Sequence, residues 1–281
     1  MSIIQSILMG IIQGLSEFLP ISSSGHIVIM SQLLKIDTSV VESDFFYTMI
    51  LHLGPLVAVF IAFRNTIIDL IKDFFILAKA IFTGKFNKND ITNMQRMIIC
   101  LIISLLPLIV VFPFMDAIDG FFSTLFPVGM ALLINSIMLF FSDKIVAGKI
   151  TSKNMGIKES VIIGIAQCIA VIPGISRSGS TITAGVASGL TRKYAAKYSF
   201  ILSIPTILGG TLISFIKMLT SGEGFNTDLL LPYVAGFIAA AITGFFAIKL
   251  LELLLKNRKF IVFSIYCLVL GTVTVVAGLI I

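Results

Sequence analysis

Charge is what this chain has least of. Only 12% of its 281 residues are Asp, Glu, Lys or Arg, where a soluble domain carries roughly 25%. With 57% hydrophobic residues and a mean hydropathy of +1.09, that scarcity excludes an ordinary soluble domain and points to a polytopic helical membrane protein. Cysteine is equally sparse. Cys100, Cys168 and Cys267 lie in apolar stretches, at spacings that build neither a disulfide framework nor a metal site, and read as small buried hydrophobes. Histidine occurs twice, at His26 and His52. Met1–Leu19 lacks a basic n-region and a small-residue cleavage site, so it is expected to belong to the fold rather than to a signal peptide.

A net charge of +6 can indicate nucleic acid, but here the basic residues lie between apolar runs, as in cytoplasmic loops, and nucleic acid is excluded as a partner. Six stretches are long enough to span a bilayer at about 20 residues each: 45–63, 97–114, 121–141, 198–216, 229–251 and 260–281. Two more, 3–34 and 157–190, are broken in the middle by Pro, Gly and Ser. Lys and Arg gather in 64–96, 144–158, 192–197 and 249–259, whereas the other connections carry Asp37, Glu42, Asp44, Asp116, Asp119, Glu223 and Asp228. With the basic loops inside, all six spans alternate correctly only if each broken stretch returns to the side it came from. The expected fold is therefore all-α and integral to the membrane, with six transmembrane helices, two re-entrant helical hairpins and both termini outside. Stretch 3–34 dips in from outside and 157–190 from inside, and Arg64–Phe82 lies on the inner surface as an amphipathic helix.

The broken stretches match each other. Shifted by 154 residues, Gly10-Ile-Ile-Gln13 falls on Gly164-Ile-Ala-Gln167, and Ile21-Ser-Ser-Ser-Gly25 on Ile175-Ser-Arg-Ser-Gly179. Three spans follow each copy. One membrane domain is thus expected to hold two inverted repeats, 1–141 and 157–281, with half-helix N-termini turned toward an anion near the midplane.

The few charges inside apolar sequence are the strongest functional signal. Arg177 is the only such cation and Glu17 the only such carboxylate, and a charge at membrane depth costs roughly 2.5–3.5 kcal/mol on insertion scales. Arg177 offers a planar fork that matches phosphate bidentately. Ser22, Ser24, Gly25, Ser176, Ser178, Gly179, Ser180 and Thr181 surround the two charges with hydroxyls and turn N–H groups suited to phosphate. Gln13 and Glu17, four apart, share one helix face and can hold Mg²⁺ together with substrate oxygens, or Glu17 can act as a base. His26 can carry a proton or attack phosphorus, and His52 is a candidate supporting residue behind it.

Gln13-x-x-x-Glu17-Phe-Leu-Pro-x-Ser-Ser-Ser-Gly-His26 and Pro173-Gly-x-Ser-Arg-Ser-Gly-Ser-Thr181 closely resemble the two signatures of the undecaprenyl-diphosphate phosphatase family, and the resemblance covers essentially the whole chain. It implies a multi-pass enzyme of the bacterial plasma membrane, associated with bacitracin resistance, that removes one phosphate from undecaprenyl diphosphate with a divalent metal ion. The lipid carrier for cell-wall synthesis is thereby regenerated. The resemblance puts catalytic roles on Glu17, Ser23, His26 and Arg177, with Ser23, His26 or water as nucleophile. Many members have Glu where this chain has Gln13, which leaves one carboxylate fewer for the metal. Expected partners are a polyprenyl diphosphate and the bilayer, with a homodimer left open. The alternative is an inverted-repeat transporter or flippase for an anionic lipid or solute, which needs the phosphate clamp but not His26.

Overall fold

A computed structural model describes residues 1–34, 45–87, 90–221, 229–256 and 260–280. The acidic clusters at 37–44 and 223–228 and the basic residues 258 and 259 lie outside the described residues. Apart from one isolated bridge between Ile150 and Leu190, the regular structure is helical: α1 Ile3–Phe18, α2 Ser23–Leu33, α3 Phe45–Ala62, α4 Arg64–Phe82, α5 Asn93–Val111, a 3₁₀ turn Phe112–Phe114, α6 Met115–Phe121, α7 Leu125–Lys144, α8 Ile157–Ile169, α9 Arg177–Ala187, α10 Arg192–Ser221, α11 Leu230–Lys256 and α12 Phe260–Ile280.

Five of the described helices are long and apolar enough to cross a membrane, and a sixth span is counted if the bent pair α3–α4 is taken together. Five of the six expected spans coincide with α5, α7, α10, α11 and α12 to within a few residues, and the sixth, 45–63, with α3. The chain turns by 90° between α3 and α4. Helix α4 then presents Ile67, Leu70 and Leu77 to the protein and leaves Phe74, Phe75 and Ile76 exposed. Apolar side chains such as Val110, Leu212, Phe246 and Val273 cover the outer surface, as a bilayer-facing surface requires.

The two broken stretches each become a short helix, a turn and a second short helix. Pro20 bars the helical conformation for the residue before it, and Leu19 is extended, so α1 ends there. The chain then doubles back, because Gln5 near the start of α1 donates to the carbonyl of Leu34 just past α2 (3.3 Å). In the second stretch Pro173-Gly174 separates α8 from α9, and Gly174 sits at φ +105°. Gly185 of α9 returns beside Ile163 of α8.

Small residues set how these pairs dock. Helix α1 packs on α11, with Gly10 against the Gly236 backbone and the Ser6 hydroxyl donating to Pro232 O (2.6 Å). Helix α8 packs on α5, where a Cβ on Gly164 would sit 2.7 Å from Ser104 O, and Ser104 donates to Ser160 O (2.8 Å). Gly10 and Gly164, like Ser6 and Ser160, are 154 residues apart. In each stretch the same two positions lock the first helix against its neighbour. Close approach through small residues and interhelical hydrogen bonds is how helices associate without a hydrophobic driving force between them.

Candidate active site

The two turns meet tip to tip. Ser22 caps α2, its Oγ accepting from Gly25 N (3.3 Å), and Ser176 caps α9 in the same way, accepting from Gly179 N (3.1 Å). A side-chain oxygen at each helix start satisfies an otherwise orphaned N–H. Ser22 Oγ also accepts from Gly174 N of the other turn (3.1 Å), and Ser178 Oγ donates back to Leu19 O (3.2 Å). A Cβ on Gly25 would stand 3.1 Å from Gly174 Cα, so the tips touch backbone to backbone. Asn135, in the middle of α7, fastens both. Its Nδ2 donates to Pro20 O (3.0 Å) and its Oδ1 accepts from Ser176 N (3.1 Å). Ser22 is the only non-glycine with positive φ among the described residues, at +71°, and backbone held this way belongs where surrounding contacts over-determine it.

Glu17 is the hub. Its Oε1 takes the Arg177 guanidinium in an ion pair, and its Oε2 accepts from Ser23 Oγ (2.7 Å) and from Gln13 Nε2 (2.9 Å). The carboxylate is thus paired with a cation and accepts at both oxygens, as a buried charge demands. Arg177 retains 19% side-chain exposure, and with Glu17 and Ser23 it lines an open pocket of about 230 Å³. Ser22, Ser24 and Ser176 line the same pocket, as do His52, Gln167 and Thr206. A hydroxyl on a carboxylate, a guanidinium and two capped helix starts around one space suit a phosphoryl group undergoing displacement.

Not every expected residue faces that space. His26 is buried and absent from the pocket lining: its Nδ1 bonds to Ser22 O (2.7 Å) and its Nε2 to the Tyr266 hydroxyl (2.7 Å), with the two rings stacked. It is His52 that borders the pocket. Ser178, Ser180 and Thr181 turn inward as well, to Leu19 O, to Met138 Sδ (3.6 Å) and to Ser199 Oγ (2.6 Å) respectively, while Gly25 and Gly179 serve the caps and the close approach of the tips. Asn135, Tyr266, Gln167 and Thr206 are additions that the two motifs did not indicate. Gln167 alone had a signal, as the counterpart of Gln13 in the repeat.

For a divalent cation the residues offer a limited set. Among the described residues no group of three or more His, Cys, Asp and Glu forms a metal cage. Gln13 Oε1, however, is buried without a hydrogen-bond partner on the helix face that carries Glu17. Both are hard oxygen donors of the kind such a cation takes, and of the two it is Glu17 that lines the pocket, whereas Gln13 is fully buried and does not.

Comparison with known proteins agrees with the motifs. A family model described as bacitracin resistance protein BacA matches residues 6–273. A relative from Methanosphaera stadtmanae, named undecaprenyl-diphosphatase, is 39% identical over 100% of this chain and 99% of its own length. Relatives of the same name from Methanobrevibacter smithii (37% identical; 97% of this chain, 96% of the relative) and Alkaliphilus metalliredigens (34%; 99% and 100%) match as completely.

Proposed function

The chain belongs to the bacitracin resistance protein BacA family, and on that premise we propose that it hydrolyses undecaprenyl diphosphate to undecaprenyl phosphate and inorganic phosphate, recycling the lipid carrier of cell-wall synthesis. The observation that carries this reading is the chain of contacts Arg177–Glu17–Ser23 on the wall of the pocket. Arriving diphosphate draws Arg177 from Glu17 to its own oxygens, and Glu17 is then free to take the Ser23 proton. Ser23 Oγ bonds to the terminal phosphorus, the bridging P–O bond breaks, and polyprenyl phosphate leaves. Water then cleaves the Oγ–P bond, its hydroxyl going to phosphorus and its other proton to the departing phosphate, while Glu17 returns the first proton to Ser23. His26 holds the Ser22 carbonyl, and so the turn from which Ser23 projects. A divalent cation such as Mg²⁺, held by Glu17 and Gln13 Oε1, would neutralise charge on the diphosphate.

The membrane arrangement belongs to the same proposal. Helices α1–α2 and α8–α9 act as re-entrant hairpins of two inverted repeats, 1–141 and 157–281. The matched docking of α1 on α11 and α8 on α5 supports this, as does the anchoring of both tips at the middle of α7. By the charge rule the basic starts of α5 and α10 lie inside, and the pocket-lining residues Leu108 and Met115, at the other end of α5 and the start of α6, favour a pocket that opens toward the outer half of the membrane. The relatives' names favour the hydrolase over the transporter or flippase.

Purified protein should release phosphate from undecaprenyl diphosphate, lose that activity in EDTA and regain it with Mg²⁺. Ser23→Ala should lower turnover by roughly a thousandfold or more. Full activity of the alanine variant would remove Ser23 from the chemistry and leave water as the nucleophile.

A further inference from the structure

Gln13 and Gln167 occupy equivalent places in the two broken stretches but meet different fates. Gln13 spends its amide N–H on Glu17, four residues on. Four residues after Gln167 stands Val171, which accepts nothing from a side chain. Gln167 is 2% exposed, and its Nε2 has no hydrogen-bond partner. At the other end of the amide, Thr206 Oγ1 lies 3.4 Å from Gln167 Oε1, with its single proton directed chiefly to Leu202 O (2.8 Å). A buried donor without an acceptor is costly, and nearly all such groups in folded proteins are paired. This one belongs to a residue on the wall of the pocket, and an anion bearing several oxygens would pair it.

Its position on that wall gives the direction. The hydroxyls and the guanidinium come from the two tips, whereas Leu108, Met115 and Val171 come from α5, α6 and the end of α8. Gln167 and Thr206 are the polar members of this second, largely apolar group. A lipid diphosphate needs both surfaces, one for the phosphate that leaves and one where the retained phosphate gives way to hydrocarbon. Resting on the phosphatase reading, we infer that Gln167 donates its amide N–H to the phosphate that stays on the lipid, and that the prenyl chain leaves the pocket past Leu108 and Met115. Gln167 then fixes which phosphorus faces Ser23. Bound the other way round, the lipid would bring its tail against Arg177.

The test uses the full-length protein in detergent with farnesyl diphosphate as substrate, and farnesyl monophosphate and inorganic phosphate as inhibitors. In Gln167→Leu, KM for the diphosphate and the inhibition constant of the monophosphate should rise together, each roughly tenfold, the loss of one hydrogen bond to an anion. The inhibition constant of inorganic phosphate should stay at the wild-type value, because that product leaves from the Arg177 side. Gln167→Glu, which sets a negative charge against the retained phosphate, should weaken both lipid ligands further. Wild-type constants for both lipids, or an equal loss of inorganic phosphate binding, would overturn the assignment. Should Gln167→Leu fold poorly, Gln167→Met answers the same question with a flexible side chain. If even the wild-type protein releases no phosphate, the phosphatase reading fails. Calorimetric binding of farnesyl monophosphate to wild type and Gln167→Leu then still decides the Gln167 assignment, with equal affinities refuting it.

Discussion

At Arg177 two demands meet that a single lysine cannot satisfy. The guanidinium pairs with Glu17 and also lines the pocket proposed to take the diphosphate. An ammonium keeps the charge but loses the planar fork that serves a carboxylate and a phosphate in turn. Arg177→Lys should therefore lower kcat/KM by roughly a hundredfold or more, close to the effect of Arg177→Ala, as measured by phosphate release. A lysine variant with most of the wild-type turnover would refute the fork. Arg177→Ala should also fold less stably, since it leaves the buried Glu17 carboxylate without its counter-ion, at a cost of about 3–5 kcal/mol. Arg177 and Glu17 were legible in the sequence because a lone charge in apolar surroundings has few bland explanations. Asn135 and Thr206 were not, since an uncharged polar residue in a span is unremarkable until its neighbours are known. The sequence ranked His26 above His52, and the fold sets the pocket beside the other one. Ser-Gly before His26 marks a helix start, but only the fold shows that the start turns His26 toward Tyr266 and brings His52 to the pocket.

The elements that carry the site are short helices whose ends matter more than their lengths. Each has a serine at its start, and the two starts are pressed together through Gly25 and Gly174. Gly174 is constrained twice, by its φ of +105° and by its surroundings, where a Cβ would come 2.5 Å from Ala131 Cβ and 2.7 Å from Val128 O. Gly174→Ala should therefore cost about 1–3 kcal/mol in stability and move the second turn off Ser22, with a loss of turnover larger than the loss of folded protein. Thermal unfolding in detergent alongside phosphate release would show both, and a fully active, fully stable variant would contradict the tight junction. Adding Ala131→Gly should restore space without restoring the backbone angle, so the rescue should be partial. The broken helices were visible in the sequence through Pro20, Pro173 and the Ser/Gly runs. What sequence could not supply was the register between them, because the contacts that set it lie on α5, α7 and α11, far away in the chain.

At the scale of the whole molecule, the segregation of charge predicts an orientation that labelling can check. In a background without Cys100, Cys168 and Cys267, Asp116→Cys should react with a membrane-impermeant maleimide in intact cells. Lys149→Cys should react only after permeabilisation. Reaction of Lys149→Cys in intact cells would invert the topology and overturn the proposal of an outward-opening pocket. The positions of the spans were readable because apolar length and loop charge are each sufficient signals. Asp69, Asp73, Lys72 and Lys79 among apolar residues marked α4 as amphipathic, and the chain turns by 90° to enter it. The pairing of Glu17 with Arg177 across 160 residues has one more consequence, which concerns time. A ribosome extends a chain at about 5–20 residues per second, so on the order of ten seconds or more separate the synthesis of the carboxylate from that of its counter-ion. For that interval the first hairpin has an acid but no base to bury it against, and it must wait hydrated or protonated at the translocon. The early half of this enzyme cannot settle in the bilayer until the late half arrives.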